Sequence, residues 1–77
     1  VTANRNLGSI LRSRRRTMDA GQMQIAHDVG ISQAYLSLIE NGKRRPPWRM
    51  VLRLANVLKL SPRRLRTLWL AMDGTHD

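Results

Sequence analysis

The stretch from Gln22 to Asn41, QMQIAHDVGISQAYLSLIEN, constrains this chain more than any other. Ile25 and Val29 share one face of a short helical turn pattern, and Leu36 and Ile39 share another, so the stretch predicts two short helices. With Ala26 and Ile31 they form the inward set. Gly30 sits between the two patterns, where a chain reversing after so short a helix needs a residue that adopts positive φ without steric penalty. Ser32 supplies the next start signal, because its hydroxyl can cap the free N–H groups of Gln33 to Tyr35. Ala26 is small where two helices crossing through a tight turn come close together.

Composition adds bounds to this. Seventy-seven residues predict one domain, and a chain of that length buries only about 60% of its unfolded surface, so a partner subunit would help it. The absence of cysteine removes disulfides and thiolate metal sites. Two histidines do not make a structural zinc site, so neither metal nor cofactor is expected. The apolar runs are too short for a membrane span or a signal-peptide core, which sets the expectation of a cytoplasmic protein. Fourteen Lys and Arg against five Asp and Glu give a net charge of +9. A field that strong on so small a body attracts polyanions, nucleic acid first. Its layout says more than its size: residues 21–42 hold no Lys or Arg, whereas Arg12 to Arg16 and residues 43–66 are rich in them. An uncharged reading unit flanked by cations predicts phosphate clamps around a base reader.

In chain order, residues 1–6 are polar and expected to be flexible, with Asn4 or Asn6 as a cap. Leu7, Ile10, Leu11 and Met18 repeat at helical spacing and give a first helix to about Thr17. Arg15 falls on that apolar side, four residues after Leu11, and Glu40 falls on the inner face of the third helix, four after Leu36. Each is costly there without a partner, which predicts an Arg15–Glu40 ion pair; two separately solvated side chains are the alternative. Asp19 suits a left-handed helix terminus. The second helix is expected over 22–29, with His27 and Asp28 on different faces and read as solvated surface. The third is expected from Gln33 to Asn41, ending at Gly42. Lys43, Arg44 and Arg45 follow, and Pro46 and Pro47 stiffen the turn into a fourth helix that reaches Leu58, with Val51, Leu54, Ala55 and Leu58 facing inward. Arg49 and Arg53 form an outward basic pair. Ser61 and Pro62 announce a fifth helix with an inward stripe of Leu65, Leu68, Trp69 and Met72. Leu70 falls off that stripe, so Trp69 with Leu70 is the candidate dimer contact, and burial of Trp69 in the monomer is the competing reading. Residues 73–77 are expected to be a flexible tail.

Three segments, LGSILRSRRR, QMQIAHDVGISQAYLSLIENGKRRP and VLRLANVL, resemble the phage-repressor-like helix-turn-helix group related to lambda and 434 repressors and to Cro. The resemblance covers roughly Leu7 to Leu58. It implies an all-α, compact five-helix DNA-binding domain with its helix-turn-helix at the second and third helices. It also implies an arginine and a glutamate at positions 15 and 40, and a Gln22 that contacts phosphate and braces Gln33. Gly21 and Pro47 depart from it by standing where the group usually has a Ser or Thr cap, and Ala20 replaces a larger apolar residue.

The exposed start of the third helix would present Gln33, Ala34 and Ser37, with Leu38 further along, because such a helix reads DNA through its N-terminal part. Gln33 can pair bidentately with adenine, and Ala34 can meet a thymine methyl. With no cation on this helix to grip guanine, the bases beneath should be A·T pairs unless Lys43 or Arg44 reaches in. Gln22, Tyr35, Asn41, Lys43, Arg44, Arg45 and Arg49 are the candidate contacts to phosphate or the minor groove; a solvated surface is the plain alternative for the basic run. These features point to a sequence-specific regulator of double-stranded DNA, acting as a homodimer on an inverted repeat. No sensor unit is expected after the DNA-binding segment, which leaves control by concentration, degradation or a partner as the expectation. The runner-up is an antitoxin or accessory module whose main partner is another protein. Single-strand or RNA binding is disfavoured by the scarcity of aromatics. An enzyme is disfavoured by the lack of paired carboxylates, a nucleophile with its base, or a glycine-rich phosphate loop.

Overall fold

Helix boundaries in this protein are set by side-chain oxygens at some starts and by left-handed residues at most stops. The computed structural model describes residues 6–72 as five helices: α1 (Leu7–Thr17), α2 (Gln22–Val29), α3 (Gln33–Glu40), α4 (Trp48–Leu58) and α5 (Pro62–Leu70). The expected flexible ends lie outside the described residues, apart from Asn6, which is the N-cap of α1. Its side chain accepts from the Ser9 N–H at 2.9 Å while the Ser9 hydroxyl accepts from the Asn6 N–H at 3.1 Å, a reciprocal box that satisfies two otherwise orphaned donors. Ser32 caps α3 by accepting from the Tyr35 N–H at 3.0 Å. Gly21, Pro47 and Ser61 open α2, α4 and α5 with no side-chain cap bond.

Four helices stop at a residue with positive φ: Asp19 after α1, Gly30 after α2, Gly42 after α3 and Lys59 after α4. At each stop the next N–H reaches back to a carbonyl of the last turn, Ala20 to Arg15, Ile31 to Ala26, Lys43 to Leu38 and Leu60 to Ala55, all within 3.1 Å. This closure consumes carbonyls that the helix end would leave unsatisfied and reverses the chain in a single residue. Gly30 and Gly42 do it freely. Asp19 and Lys59 do it against a steric penalty that only their place between two packed helices outweighs.

The core draws on every helix: Leu7, Ile10 and Leu11 from α1, Ile25, Ala26 and Val29 from α2, Leu36 and Ile39 from α3, Val51, Leu54, Ala55 and Leu58 from α4, and Leu65 from α5. Each fully buried leucine contributes roughly 1.5–3 kcal/mol by leaving water. One inward assignment needs correction. Met18 caps α1 from outside the helix and stays 37% exposed, because the reversal at Asp19 turns the chain before the apolar face can reach it. The expected stripe of Leu65, Leu68, Trp69 and Met72 does face the body of the domain: Leu65 is buried, and the other three pack against the core partly buried. No helix among the described residues is long and apolar enough to cross a membrane.

α1 packs on α3, α4 and α5, and α4 on α2 and α5, so α3 rests chiefly on α1 and α2. The α1–α3 approach is close enough to demand a glycine. A Cβ on Gly8 would stand 2.5 Å from the Ile39 carbonyl oxygen and 2.6 Å from that of Glu40. Backbone cannot yield as a flexible side chain does, so Gly8→Ala should destabilise the domain by about 1–3 kcal/mol, the usual cost of overpacking. Urea unfolding followed by circular dichroism measures it, and an unchanged midpoint would contradict the tight approach.

Candidate nucleic-acid interface

α3 exposes Gln33 and Ala34 at its start, half-exposes Ser37 and leaves Leu38 39% exposed. These four expected base-reading residues lie on the outward side because Leu36, Ile39 and Glu40 occupy the inward one. Asn41 follows as the C-cap, its amide donating to the Ser37 carbonyl at 2.9 Å and to the Ser37 hydroxyl at 3.3 Å. Tyr35 is half-buried at the edge, packed against the core.

Beneath this face lies a buried charge. Glu40 is 4% exposed. Arg15 holds it with two parallel bonds, Nε to Oε2 at 2.8 Å and Nη2 to Oε1 at 3.0 Å, and turns its third nitrogen to the Ala20 carbonyl at 3.0 Å. The forked geometry matches guanidinium to carboxylate and is stronger than a single contact. Hydrogen bonding to Glu40 raises the Arg15 pKa above its ordinary value, burial opposes the rise, and the attraction of the carboxylate adds to it. A raised folded-state pKa gives stability that is complete below the unfolded value and is lost only as pH climbs past the folded one, so Arg15 keeps its charge at every ordinary working pH.

Two more residues complete the network. Arg12 lies 3.8 Å from Glu40 Oε1, donates to the Glu40 carbonyl at 3.3 Å and donates to the Asn41 side-chain oxygen. Sequence reasoning missed Arg12, although its place between Leu11 and Arg15 on α1 was a usable signal. The Gln22 amide donates to Glu40 Oε1 at 3.0 Å. Because a carboxylate only accepts, this bond fixes which way the Gln22 amide points. Its oxygen then faces outward and accepts from the Gln33 amide at 3.3 Å. A chain of bonds thus runs from α1 through Glu40 and Gln22 to the first residue of α3.

The cations beyond α3 differ in their surroundings. Lys43 and Arg49 are exposed and Arg44 half-exposed, and none of the three has an acidic partner among the described residues, where Arg12 and Arg15 alone form ion pairs. Arg45 is arranged otherwise. Its guanidinium lies 3.7 Å from the centre of the Trp69 ring, and its Nε donates to the Trp69 carbonyl at 3.3 Å. The expected pairing of Trp69 with Leu70 as one surface is split accordingly. Leu70 is 59% exposed, while Trp69 is half-buried, tilts against Trp48 at 5.4 Å between ring centres and donates its indole N–H to the Pro46 carbonyl at 2.7 Å. A polar ring edge with a carbonyl in reach turns inward, which is why Trp69 leaves the patch.

Two short helices joined at a left-handed glycine, the second presenting an uncharged outer face, define a helix-turn-helix. Residues 6–68 match the family described as helix-turn-helix domain. The chain belongs to this family. Among relatives, an uncharacterized HTH-type transcriptional regulator of Mycobacterium tuberculosis is 37% identical over 54 residues, 70% of this chain. The chain spans 39% of that relative's length. The ImmF control region 10 kDa protein of Bacillus phage phi105 is 32% identical over 56 residues, covering 73% of this chain and 62% of the phage protein. In structure, the restriction-modification controller protein C.AhdI from Aeromonas hydrophila superposes with a TM-score of 0.71 at 30% identity, over 77% of this chain and 86% of its own. The P22 c2 repressor, crystallised with a synthetic operator, superposes with a TM-score of 0.75 at 24% identity, over 96% of this chain and all of its own. The last likeness speaks to the fold alone.

The buried pair makes a sharp stability prediction. Arg15→Met should cost about 3 kcal/mol, since it strands a buried carboxylate, whereas Arg15→Met with Glu40→Leu should recover most of the loss. Chemical denaturation of the three proteins tests this; equal losses in the single and double variants would show that the pair is not the source.

Proposed function

We propose that this chain is a sequence-specific regulator that binds double-stranded DNA as a homodimer on an inverted repeat, each copy laying α3 in a major groove. The observation that carries this reading is the state of Gln33. Its amide nitrogen has two hydrogens, of which one is engaged by Gln22, so the other hydrogen and the carbonyl oxygen are free to face outward. That remaining pair complements N7 and N6 of adenine. Gln22 is itself steadied by the buried carboxylate, so the reading amide is aimed before DNA arrives, and less freedom is lost on binding. Ala34 suits a thymine methyl, and Ser37 and Leu38 extend the face along the groove.

Lys43, Arg44 and Arg49 would grip phosphates around that face, joined at its edges by Gln22, Tyr35 and Asn41. Their lack of acidic partners among the described residues supports this, because an anion then meets charges that need not be released first. The names of the relatives agree with a regulatory role. Size favours two copies. The domain measures 28 Å in its longest direction, shorter than the roughly 34 Å that separates successive major grooves on one side of the duplex. One copy therefore cannot read two grooves, and Leu70, exposed on α5, offers a surface for the second.

Selection of bound duplexes from a random pool tests the whole reading. The expected product is two half-sites with A·T pairs at the position under Gln33 and twofold symmetry between them. A pool that stays random would overturn sequence-specific binding, and a single asymmetric site would overturn the dimer. On the selected site, Gln33→Ala should relax discrimination at one base position by roughly 1–3 kcal/mol, measured by competition between site variants; an equal loss on all sequences would contradict the assigned role. Arg44→Ala should instead weaken every duplex alike and lower the slope of affinity against salt by about one contact, measured by fluorescence anisotropy from low to high salt.

A further inference from the structure

The cationic loop after α3 is mounted on α5, at the far side of α4 in sequence. Pro46 is fully buried within it, and its carbonyl takes the Trp69 indole N–H at 2.7 Å. The next residue toward α3, Arg45, covers the same indole at 3.7 Å and bonds the Trp69 carbonyl. Arg66 stands 4.8 Å from the Trp48 ring centre and 5.5 Å from that of Trp69. Two tryptophans and two arginines therefore form one stack that joins the loop, the start of α4 and α5.

We propose that Trp69 is a positioning residue for DNA binding, and that Arg45 belongs to this mount instead of to the phosphate contacts. This rests on the DNA-binding reading above. Lys43 and Arg44 carry no partner among the described residues, so nothing of their own holds them beside the groove. The loop that bears them has two anchors: the left-handed turn at Gly42, where the Lys43 N–H bonds the Leu38 carbonyl at 2.9 Å, and the Pro46–Trp69 contact. The first ties the loop to the reading helix. The second ties it to α5. An arginine lying over an indole keeps much of its hydration cost low and its direction fixed, and moving it to a phosphate would break a cation–π contact and a hydrogen bond together.

The test uses Trp69→Phe, which keeps an aromatic ring for the stack but removes the N–H, and Arg45→Gln, which removes the cation. Binding is read by anisotropy on random-sequence duplex and on a selected site, and the fold by circular dichroism. For Trp69→Phe the expected result is a loss of about threefold or more on both duplexes, the weight of one net hydrogen bond, with base discrimination at the Gln33 position unchanged. For Arg45→Gln the expected result is an altered Trp69 emission in a Trp48→Phe background without any DNA, and a salt slope equal to that of the parent. Unchanged affinity in folded Trp69→Phe would overturn the positioning role. A slope lower by about one contact in Arg45→Gln, with unaltered emission, would return Arg45 to the phosphate set. Should Trp69→Phe fail to fold, the Arg45→Gln emission and slope decide alone. If the parent protein binds no duplex, the DNA-binding reading falls with the mount, whereas parent binding that both variants match sinks the mount by itself.

Discussion

A single buried carboxylate on the inner face of α3 ties the helix-turn-helix to the rest of the domain. Glu40 is removed from water, and that removal is tolerable only because Arg15 meets both oxygens and Gln22 a share of one. The same three contacts join three helices: α1 through Arg15, α2 through Gln22 and α3 through Glu40 itself. A hydrophobic substitute of similar volume would fill the space with little or no loss of stability. It would not define the direction of an amide. The carboxylate's inability to donate is what orients Gln22, and through it Gln33, so the ionic core and the outer face of α3 are parts of one arrangement.

The surface shows a division of labour between charge and neutrality. The helix that would enter the groove carries no cation, and cations begin at Lys43, immediately after its left-handed stop. Under the proposed reading, attraction to the duplex would act beside the outer face of α3 and not through it, which would leave hydrogen bonding and methyl contacts to distinguish bases. The arginines nearest the core are engaged internally: Arg15 and Arg12 with Glu40, Arg14 with the Leu58 carbonyl at 2.8 Å, and Arg45 with Trp69. A net charge of +9 thus overstates what the duplex would meet directly, because part of it braces the fold.

Helix limits were legible in the sequence to within a residue or so because the signals were local: apolar spacing of 3.6, a serine before α3, glycines at 30 and 42, proline at the start of α5. Arg15 and Glu40 stood out for a local reason as well, since each put a charge on an apolar face. Other features depended on neighbours distant in the chain. Gly8 reads as an indifferent residue inside α1 until the carbonyls of Ile39 and Glu40 are placed against it. Lys59 gives no sign of a left-handed conformation, and adopts one because α4 and α5 must both pack on the same core. Trp69 fitted an apolar stripe and an exposed patch equally well, and only the position of the Pro46 carbonyl decides between them. Gly21, Pro47 and Ser61 show the converse, that a helix can start without its side-chain cap when packing fixes it.

The close seating of α1 on the last turn of α3 has a consequence for how such a domain can change. Because Gly8 meets backbone and not side chains, the C-terminal end of α3 behaves as a fulcrum, with Gln33 at the far end of the lever, where Gln22 braces it. A bulkier residue at position 8 would tilt the lever and move Gln33 further than it moves Glu40. Under the proposed reading, new target preferences would then arise from a position remote from the outer face of α3, by re-aiming the helix instead of rewriting that face.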